Sequence, residues 1–514
     1  MSNDQSDVIA FLEARSTHGG SSVERIDTHS SIVFLAGDRA WKLKRAVKFD
    51  YLDFSTLERR RTLCEAEVQL NRRTAPALYV GVVAITRETD RSLAIGGDGA
   101  PVDWLIEMRR FEQDMLLDRL SASGQLDAGL MHPLGATIAQ FHRLAQARTD
   151  HGGLAGIASV VKGNERGFEE YGRDLFDRAA CVRLTRQALA EADRHGDLLD
   201  RRRVSGFVRQ CHGDLHLRNI VLLDGRPTLF DAIEFNDDLS CIDTLYDLAF
   251  LLMDLWRRLL PLHANQVWNG YLAESQDLEG VSLIPLFLAC RAAVRAKTSA
   301  TAARFQKDAT SREATETLAR KYLEMAHELL HPPPACLIAI GGFSGSGKST
   351  LGFDLAPATG RVPGAVLLRS DEVRKQLAGV APFDRLGPAG YTPEMTRRVY
   401  QTLVTRANSI VRAGHDVIVD AVFADRSNRD DIGRVAREAS VPFVGLWLDA
   451  PESLLRDRVG RRRLDVSDAD EGVVGTQLAR DTGVIDWRRV DASGEPKAVL
   501  AQAAKTIPSA RVRE

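Results

Sequence analysis

The sequence predicts a protein of two parts: a bilobal α+β region, followed by an α/β domain with a mostly parallel sheet and helices on both faces. Three observations predict this. Short strand patterns dominate residues 31–106, helical patterns dominate from residue 117, and strands alternate with helices after residue 335. Such alternation is typical of parallel βαβ units. The length of 514 residues leaves room for two to four domains at roughly 150 residues each.

The first part divides into a small lobe at about residues 25–108 and a helical lobe at about 112–330. A charged helix near residues 56–71 interrupts the strands of the small lobe, and strand patterns return in the helical lobe at 219–223 and 228–231. The strand patterns of the small lobe are residues 32–35, 40–43, 79–85 and 102–108.

A domain boundary is predicted where the helical pattern of residues 318–330 meets three consecutive prolines, which cannot continue a helix. We therefore predict domains at residues 1–331 and 335–514, joined by a linker at 332–334, and expect each to fold alone. The strands predicted after the linker are residues 337–340, 365–368, 416–419 and 443–448.

Composition excludes several classes of protein. Lys plus Arg total 68 and Asp plus Glu total 70, and this balance disfavours a general nucleic-acid or membrane-surface binder. No apolar stretch approaches the roughly 20 residues that cross a bilayer, and the acidic N-terminus is unlike a signal peptide. Six scattered cysteines without a CxxC motif fit reduced thiols, so we expect a cytoplasmic protein without a zinc site.

A phosphate-binding loop is predicted at residues 342–349, which fit the Walker A pattern G-x-x-x-x-G-K-[ST] at every fixed position. The loop follows a predicted strand and precedes a helix that begins near Lys348. Its backbone N–H groups would surround phosphates, Lys348 would reach the β- and γ-phosphates for binding and catalysis, and Ser349 would ligate Mg²⁺. The predicted nucleotide-binding residues are Gly342, Ser344, Gly345, Ser346, Gly347, Lys348, Ser349 and Thr350.

Two further acids accompany this loop. Asp371 follows a strand one βα unit later and could accept a proton from an acceptor hydroxyl, and Arg374 could hold an anionic substrate or the moving phosphoryl group. A capping aspartate with a surface arginine explains that pair equally well. Asp420 ends the apolar strand 417–420 in the Walker B manner, which suits Mg²⁺ binding.

These motifs, together with an arginine-rich segment, resemble the small-molecule and polynucleotide kinases related to gluconate kinase, zeta-toxin-like kinases and the 5′-hydroxyl kinase domain. The resemblance covers residues 335–500. It implies a lid whose arginines, Arg458 and Arg461 among them, close over ATP. A solvated basic face is the alternative, and we favour it for Arg456 and Arg462. The full run comprises Arg456, Arg458, Arg461, Arg462 and Arg463.

The first part carries a second motif at residues 211–220, which read Cys-His-Gly-Asp-Leu-His-Leu-Arg-Asn-Ile. Asp214 precedes Asn219 by five residues, and Asp231 ends the next strand pattern. Phosphoryl transfer needs one acid to orient the acceptor hydroxyl, here Asp214, and an amide and a second acid to hold Mg²⁺, here Asn219 and Asp231.

The motif and the sequence Leu-Phe-Asp-Ala-Ile-Glu-Phe-Asn at 229–236 resemble the aminoglycoside phosphotransferase and choline kinase family, a branch of the protein-kinase-like fold, over about residues 25–330. The resemblance implies a strand lysine on the ATP phosphates paired with a helix glutamate. Lys42 and Lys44 share a strand face, and Glu65 and Glu67 are both candidates; we favour Lys44 and Glu67. Met108 ends a strand that fits the hinge beside adenine, although a plain core strand explains it equally.

Two departures from that family are visible. No G-x-G-x-x-G precedes the lysines, and the turn Thr28-His29-Ser30-Ser31 occupies its place, where hydroxyls could contact phosphate. No acidic segment for an aminoglycoside is identifiable, so drug resistance does not follow from the resemblance.

The sequence thus predicts an ATP- and Mg²⁺-dependent phosphotransferase with two kinase-like domains, each acting on a hydroxyl of a small-molecule acceptor. It identifies neither acceptor nor the oligomeric state. One alternative is an ATP-hydrolysing switch of the AAA family ATPase kind, in which one domain is a non-catalytic nucleotide sensor. The other is a nucleic-acid end kinase, which the net charge of -2 disfavours.

Overall fold

A computed structural model describes residues 4–49, 51–381, 384–461, 467–469 and 471–507. The chain forms two compact units, one built from residues 1–130, 137–163 and 189–254 and the other from 131–136, 164–188 and 255–514. Among the described helices, none is long and apolar enough to cross a membrane. The six cysteines are all free thiols.

The first unit is built on a six-stranded antiparallel sheet with strand order β1-β2-β3-β8-β6-β7. Helix α2 contacts β6 and β8 and is capped by Thr56, whose hydroxyl accepts the Arg59 N–H. A short hairpin follows β3. The elements of this region are α1 (Ser6–Glu13), β1 (Val23–Asp27), β2 (Ser31–Ala36), β3 (Arg39–Lys44), β4 (Lys48–Phe49), β5 (Leu52–Asp53), α2 (Leu57–Asn71), β6 (Tyr79–Arg87), β7 (Leu93–Ile95) and β8 (Ala100–Arg109).

Helices dominate the chain after β8, as predicted. Two short antiparallel pairs, β9 with β12 and β10 with β11, interrupt them and frame the loop at residues 211–219. The elements are α3 (Leu117–Ala122), α4 (Met131–Leu144), α5 (Gly153–Tyr171), α6 (Arg178–Arg194), α7 (Gly196–Val204), β9 (Val208–Gln210), β10 (Ile220–Leu223), β11 (Arg226–Leu229), α8 (Asp237–Ser240), β12 (Cys241–Asp243), α9 (Thr244–Arg257), α10 (Pro261–Ser275), α11 (Ile284–Phe305) and α12 (Ala309–Leu329).

The second unit contains a five-stranded parallel sheet with strand order β14-β15-β13-β16-β17. Strands β13 and β15 at its centre are completely buried and are apolar apart from Asp420 at the end of β15, as parallel strands covered on both faces usually are. The elements are β13 (Leu337–Gly341), α13 (Lys348–Leu355), β14 (Val366–Arg369), α14 (Ser370–Ala378), α15 (Pro393–Arg412), β15 (Val417–Asp420), α16 (Arg426–Glu438), β16 (Phe443–Asp449), α17 (Glu452–Gly460), α18 (Glu471–Leu478), β17 (Arg488–Asp491) and α19 (Pro496–Ala504).

This architecture confirms the predicted fold class: a kinase-like α+β region followed by a parallel P-loop sheet flanked by helices. Seven of the described strands were not predicted from the sequence, namely β1, β4, β5, β7, β9, β12 and β17. Each lies at an edge of its sheet, where a strand buries less apolar surface than a central one and so carries a weaker hydrophobic pattern.

Candidate functional sites

The Walker A residues form the loop between β13 and α13, as the motif predicts. Gly345 has a φ angle of 86°, and a Cβ atom there would lie 2.5 Å from the Leu455 carbonyl oxygen. Only glycine fits this position, because the left-handed backbone and the close carbonyl both exclude a side chain. The loop therefore curls tightly enough to present its N–H groups at the start of α13.

Polar atoms of the loop converge on the same space. The Lys348 ammonium donates to the Phe343 carbonyl at 3.0 Å, so its side chain folds back over the loop. The Ser349 hydroxyl donates to the Asp420 carboxylate at 2.6 Å. The buried Ser346 Oγ has no hydrogen-bond partner among the described residues. A buried hydroxyl without a partner is costly unless a ligand satisfies it.

A cavity of about 1220 Å³ opens over this loop. Residues 344–350 line it, and so do Asp371, Arg374, Asp420 and Arg458. The structure thus brings the predicted residues of the second domain together at the cavity, with two exceptions. Gly342 is not among its lining residues, and the Arg461 side chain is 80% exposed and pairs with Asp457.

Asp371 lies in the first turn of α14. Burial, and next the negative charge of Asp420, raise the pKa of the Asp371 carboxyl above its usual value, while a hydrogen bond with Ser467 opposes the rise. A carboxylate with a raised pKa in a cavity is suited to take up a proton.

Arg374, one turn after Asp371, is buried rather than on the surface. Its Nη1 donates to the Gly390 carbonyl at 2.8 Å, and the guanidinium lies 5.0 Å from the centre of the Tyr391 ring. These contacts hold the arginine at the wall of the cavity.

The arginines of the basic segment have different surroundings in the structure. Arg458 lines the cavity and donates to the Ala492 carbonyl at 2.9 Å, whereas Arg456 pairs with Glu452 on the outer side of α17. Arg462 and Arg463 lie outside the described residues.

Gln477 was not predicted from the sequence, and it makes two hydrogen bonds to the Walker A loop. Its Oε1 accepts the Ser344 N–H at 2.8 Å, and its Nε2 donates to the Ser344 hydroxyl at 3.0 Å. Arg480, one turn later in the chain, also lines the cavity. No local pattern marks either residue, and the role of Gln477 depends on a contact with a residue more than a hundred positions away in the chain.

The first unit contains a second cluster, built on β3, α2 and the loop after β11. Lys42 lies between two acids, with Nζ 2.7 Å from Glu67 and 2.6 Å from Asp231. Lys44 is deeper, with Nζ 2.5 Å from both Glu67 and Glu234. Glu65, by contrast, pairs with Arg61 at the surface.

Charge and burial distinguish the two acids of this cluster. The Asp231 side chain is 43% exposed; its partial burial disfavours the charge, but the Lys42 ammonium outweighs this effect and lowers the pKa of the carboxyl. Burial raises the pKa of Glu234 to about 7, although the Lys44 ammonium opposes this shift. Glu234 was not singled out from the sequence, although it lies within the 229–236 motif.

Asp214 and Asn219 lie in the loop between β9 and β10. The Asn219 amide donates to both the carboxylate and the carbonyl of Asp214, each at 3.0 Å. The loop is held from below by buried Asp247, whose two carboxylate oxygens accept the N–H groups of His212 and Gly213 at 3.1 and 2.8 Å. Asp247 was missed because an acid in an apolar helix carries no distinctive local signal.

Met108 lies at the end of β8 and belongs to a buried cluster that includes Leu35, Ala40 and Val221. His29, in the turn between β1 and β2, lies 6.4 Å from the rings of Phe49 and Tyr51. Burial lowers the pKa of the His29 imidazole below its usual value, although the negative charges of Asp214 and Asp231 partly oppose this shift.

Comparisons with known proteins match these two regions separately. The model of the phosphotransferase enzyme family matches residues 100–283, and a model described as an AAA domain matches residues 337–482. An uncharacterized protein of Mycobacterium tuberculosis (strain H37Rv) is 29% identical over 484 residues, which is 93% of this chain and 94% of the relative.

Two other matches each cover one part of the chain. The adenylyl-sulfate kinase of Myxococcus xanthus is 31% identical over 150 residues, 29% of this chain and 74% of the relative. A choline/ethanolamine kinase family protein from Mesorhizobium loti has a TM-score of 0.41 and 13% identity, covering 64% of this chain and 94% of that structure.

The two family matches confirm the interpretation drawn from the sequence motifs. The chain is a fusion of a domain that matches the phosphotransferase enzyme family with a P-loop kinase domain.

Proposed function

We propose that the protein is an ATP- and Mg²⁺-dependent phosphotransferase with two active sites, each of which transfers the γ-phosphoryl group to a hydroxyl of a small-molecule acceptor. The observation that supports this best is the cavity of the second unit, where Asp371 lies with Lys348 and the Ser349–Asp420 pair. ATP hydrolysis alone does not require an acid on the acceptor side of the phosphates.

In the P-loop site, the loop N–H groups and Lys348 bind the phosphates, and Asp371 orients the acceptor hydroxyl and accepts its proton. Arg374 and Arg458 both line the cavity and supply positive charge to the transferring group. Arg461 is a lid residue in this proposal only if it moves, because its side chain is exposed and paired with Asp457.

In the first site, Asp214 orients the acceptor hydroxyl, and we assign the phosphate contact to Lys42. Lys42 bridges Glu67 and the Asp231 carboxylate, which is 43% exposed, whereas the Lys44 side chain is 1% exposed and is held by two glutamates. Lys44 was favoured from the sequence; we propose instead that it fixes Glu67. Met108 supplies backbone beside the adenine.

The residues present fit Mg²⁺ at both sites. Oxygen donors are the ligands this ion prefers, and the Ser349 hydroxyl with the Asp420 carboxylate provides them in the P-loop site. Asn219 and Asp231 provide them in the first site. Bound Mg²⁺ would neutralise charge on the phosphate oxygens. Protein oxygens would hold the ion, and the Lys42 and Lys348 ammonium groups would hold the phosphates in position.

We place the protein in the cytoplasm, which suits its six free thiols and its use of ATP. A nucleic-acid end kinase has less support, because Arg456 and Arg461 of the basic segment are each neutralised by an acid on the same helix. The nucleotide-sensor alternative makes a different prediction, namely binding without turnover at one site.

A screen of hydroxylated small molecules for acceptor-dependent ADP release tests the proposal, with mass spectrometry to identify a product that has gained a phosphoryl group. Sugars, amino alcohols and nucleosides form the first panel. We expect at least one acceptor to raise ADP release about tenfold or more above hydrolysis by water. Release of ADP at one constant rate with every acceptor, and no phosphorylated product, would favour the switch.

A further inference from the structure

The P-loop sheet has an open edge that helix α10 closes with side-chain amides. Strand β14 is the first strand of the sheet order, so β15 is the only strand in the described part of the chain that pairs with its backbone. The Val366 N–H donates to the Asp416 carbonyl on the β15 side. Because backbone groups alternate in direction along a strand, the carbonyl of Ala365 and the N–H of Leu367 face the open edge.

Two asparagines of α10 satisfy these edge groups. The Leu367 N–H donates to Asn269 Oδ1 at 2.7 Å, and Asn269 Nδ2 donates to the Ala365 carbonyl at 3.3 Å. Asn265 Nδ2 donates to the carbonyls of Ala365 and Pro363 at 3.0 and 3.2 Å. A primary amide carries one acceptor and a donor group side by side, so it can pair with a strand edge as a peptide group does.

The two amides are buried and joined to each other. Asn265 and Asn269 are 2% and 8% exposed, and Asn269 Nδ2 lies 3.0 Å from Asn265 Oδ1. Gly364 makes the approach possible, since a Cβ atom there would lie 2.7 Å from Asn265 Nδ2. Its φ angle of +100° also disfavours any other residue. Helix α10, strand β14 and Gly364 therefore pack closely together, with no room for a side chain at position 364.

This contact lies directly before the catalytic segment of the proposed P-loop site. Strand β14 ends at Arg369, whose guanidinium donates to Glu372 at 3.0 Å and lies 3.7 Å from the Asp420 carboxylate. Asp371 follows two residues later. Helix α10 also reaches α14, because Gln376 Nε2 donates to the Ala273 carbonyl at 3.1 Å.

We propose that Asn265 and Asn269 are positioning residues for the P-loop site: they replace the missing edge strand, fix β14, and thereby hold Asp371 beside the Ser349–Asp420 pair. This proposal rests on the proposed role of Asp371. Helix α10 belongs to the stretch matched by the phosphotransferase family, so the P-loop site is complete only with residues that precede the proline linker.

Hydrogen exchange in the full-length protein tests the contact itself. Asn269→Leu removes both the acceptor and the donor, and Asn265→Ala removes the second amide and remains usable if the first variant is poorly folded. Gln266→Leu, at a half-buried position of the same helix, is the matched control. We expect amides at 366–374 to exchange about tenfold faster or more in Asn269→Leu and Asn265→Ala, and no change in Gln266→Leu.

Turnover tests the positioning role. The rate of ATP consumption with water as acceptor is measured in an Asp214→Asn background, and AMP-PNP binding is followed as exchange protection of residues 342–350. We expect turnover to fall about tenfold in Asn269→Leu, with an AMP-PNP midpoint within about twofold of the parent. Gly364→Ala, which disturbs the same contact from the strand side, is expected to act alike.

Unchanged exchange at 366–374 would overturn the proposal, and so would faster exchange with undiminished turnover. Equal loss of AMP-PNP protection and turnover would also contradict it, because that result indicates general unfolding of the domain. A parent protein that consumes no ATP would count against the proposed function alone, and the exchange comparison would still decide whether the amides fix β14.

Discussion

Lys42 and Asp231 form an ion pair in which Nζ and Oδ1 are 2.6 Å apart. The same ammonium contacts Glu67, so one lysine connects helix α2 with the loop after β11 that carries the proposed metal-binding acid. Lys44 makes the analogous bridge from Glu67 to Glu234 at a deeper level. Lys42 and Lys44 therefore have different surroundings although they lie on the same strand, and we expect them to have different functions.

Lys42→Met and Lys44→Met form a matched pair of variants that separates these roles. Lys42→Met should weaken ATP binding about tenfold or more, with little change in stability, because its ammonium is near the exposed carboxylate. Lys44→Met should lower the unfolding free energy by about 3 kcal/mol, since buried Glu234 loses its lysine partner and buried Glu67 keeps only Lys42. Calorimetry and thermal melts, both in the Lys348→Ala background, measure the two effects. The reverse pattern would assign the phosphate contact to Lys44.

Asp214→Asn and Asp231→Asn should differ in kinetics. Asp214→Asn keeps its shape but cannot accept a proton, so kcat should fall about a hundredfold or more while ATP affinity stays nearly constant. Asp231→Asn removes a charge from the metal site, so the apparent Kd for Mg²⁺–ATP should rise and excess Mg²⁺ should partly restore it. Full acceptor phosphorylation by Asp214→Asn, measured with Lys348→Ala present, would exclude this unit as the catalyst.

The two lid arginines supply a third comparison. Arg458→Ala should reduce turnover at the P-loop site about tenfold, because Arg458 lines the cavity and also holds the Ala492 loop. Arg461→Ala should change turnover less than twofold, since its side chain faces solvent. Steady-state rates in the Asp214→Asn background give both values. Equal losses would indicate that the lid closes and brings Arg461 into the site.

Asp371→Asn should raise thermal stability while abolishing turnover at the P-loop site. Burial raises the pKa of this carboxyl, so ionisation costs free energy in the folded protein and Asn removes that cost at neutral pH. The cost is absent below the ordinary pKa of 3.8, where the carboxyl is protonated in both states, grows as pH rises from 3.8 to the raised pKa of the folded protein, and is constant above it. Melting curves at several pH values should show the difference shrinking toward low pH, and a difference that grows there would contradict the assignment.

Much of the fold follows from local pattern. The Walker A loop, the central parallel strands and the 211–220 loop were all predicted because each depends on nearby residues of fixed spacing. The choice between Lys42 and Lys44 was not decidable in that way. Both lysines point to the same face of β3, and their roles depend on whether Asp231 or Glu234 lies opposite, nearly 190 residues later in the chain.

The same limit applies to the P-loop site. The side chain of Gln477 contacts Ser344, and that of Asn269 contacts Leu367. The hydrophobic periodicity of the sequence does not predict either contact. The linker at 332–334 stays a prediction. The contact between α10 and β14 adds an expectation about how fragments of the chain melt. A fragment of residues 335–514 exposes the edge of β14, so we expect it to melt at a lower temperature than a fragment that begins at residue 255.

Acceptor-dependent ADP release from four forms of the full-length protein tests the central claim most directly: the parent, Lys348→Ala, Asp214→Asn and the double variant. Two active sites predict that each single variant retains turnover with its own set of acceptors, and that the double variant falls to about 1% of the parent or less. If Lys348→Ala loses all turnover while the first site still binds nucleotide, the claim of two active sites is contradicted. The first site would then be a nucleotide sensor.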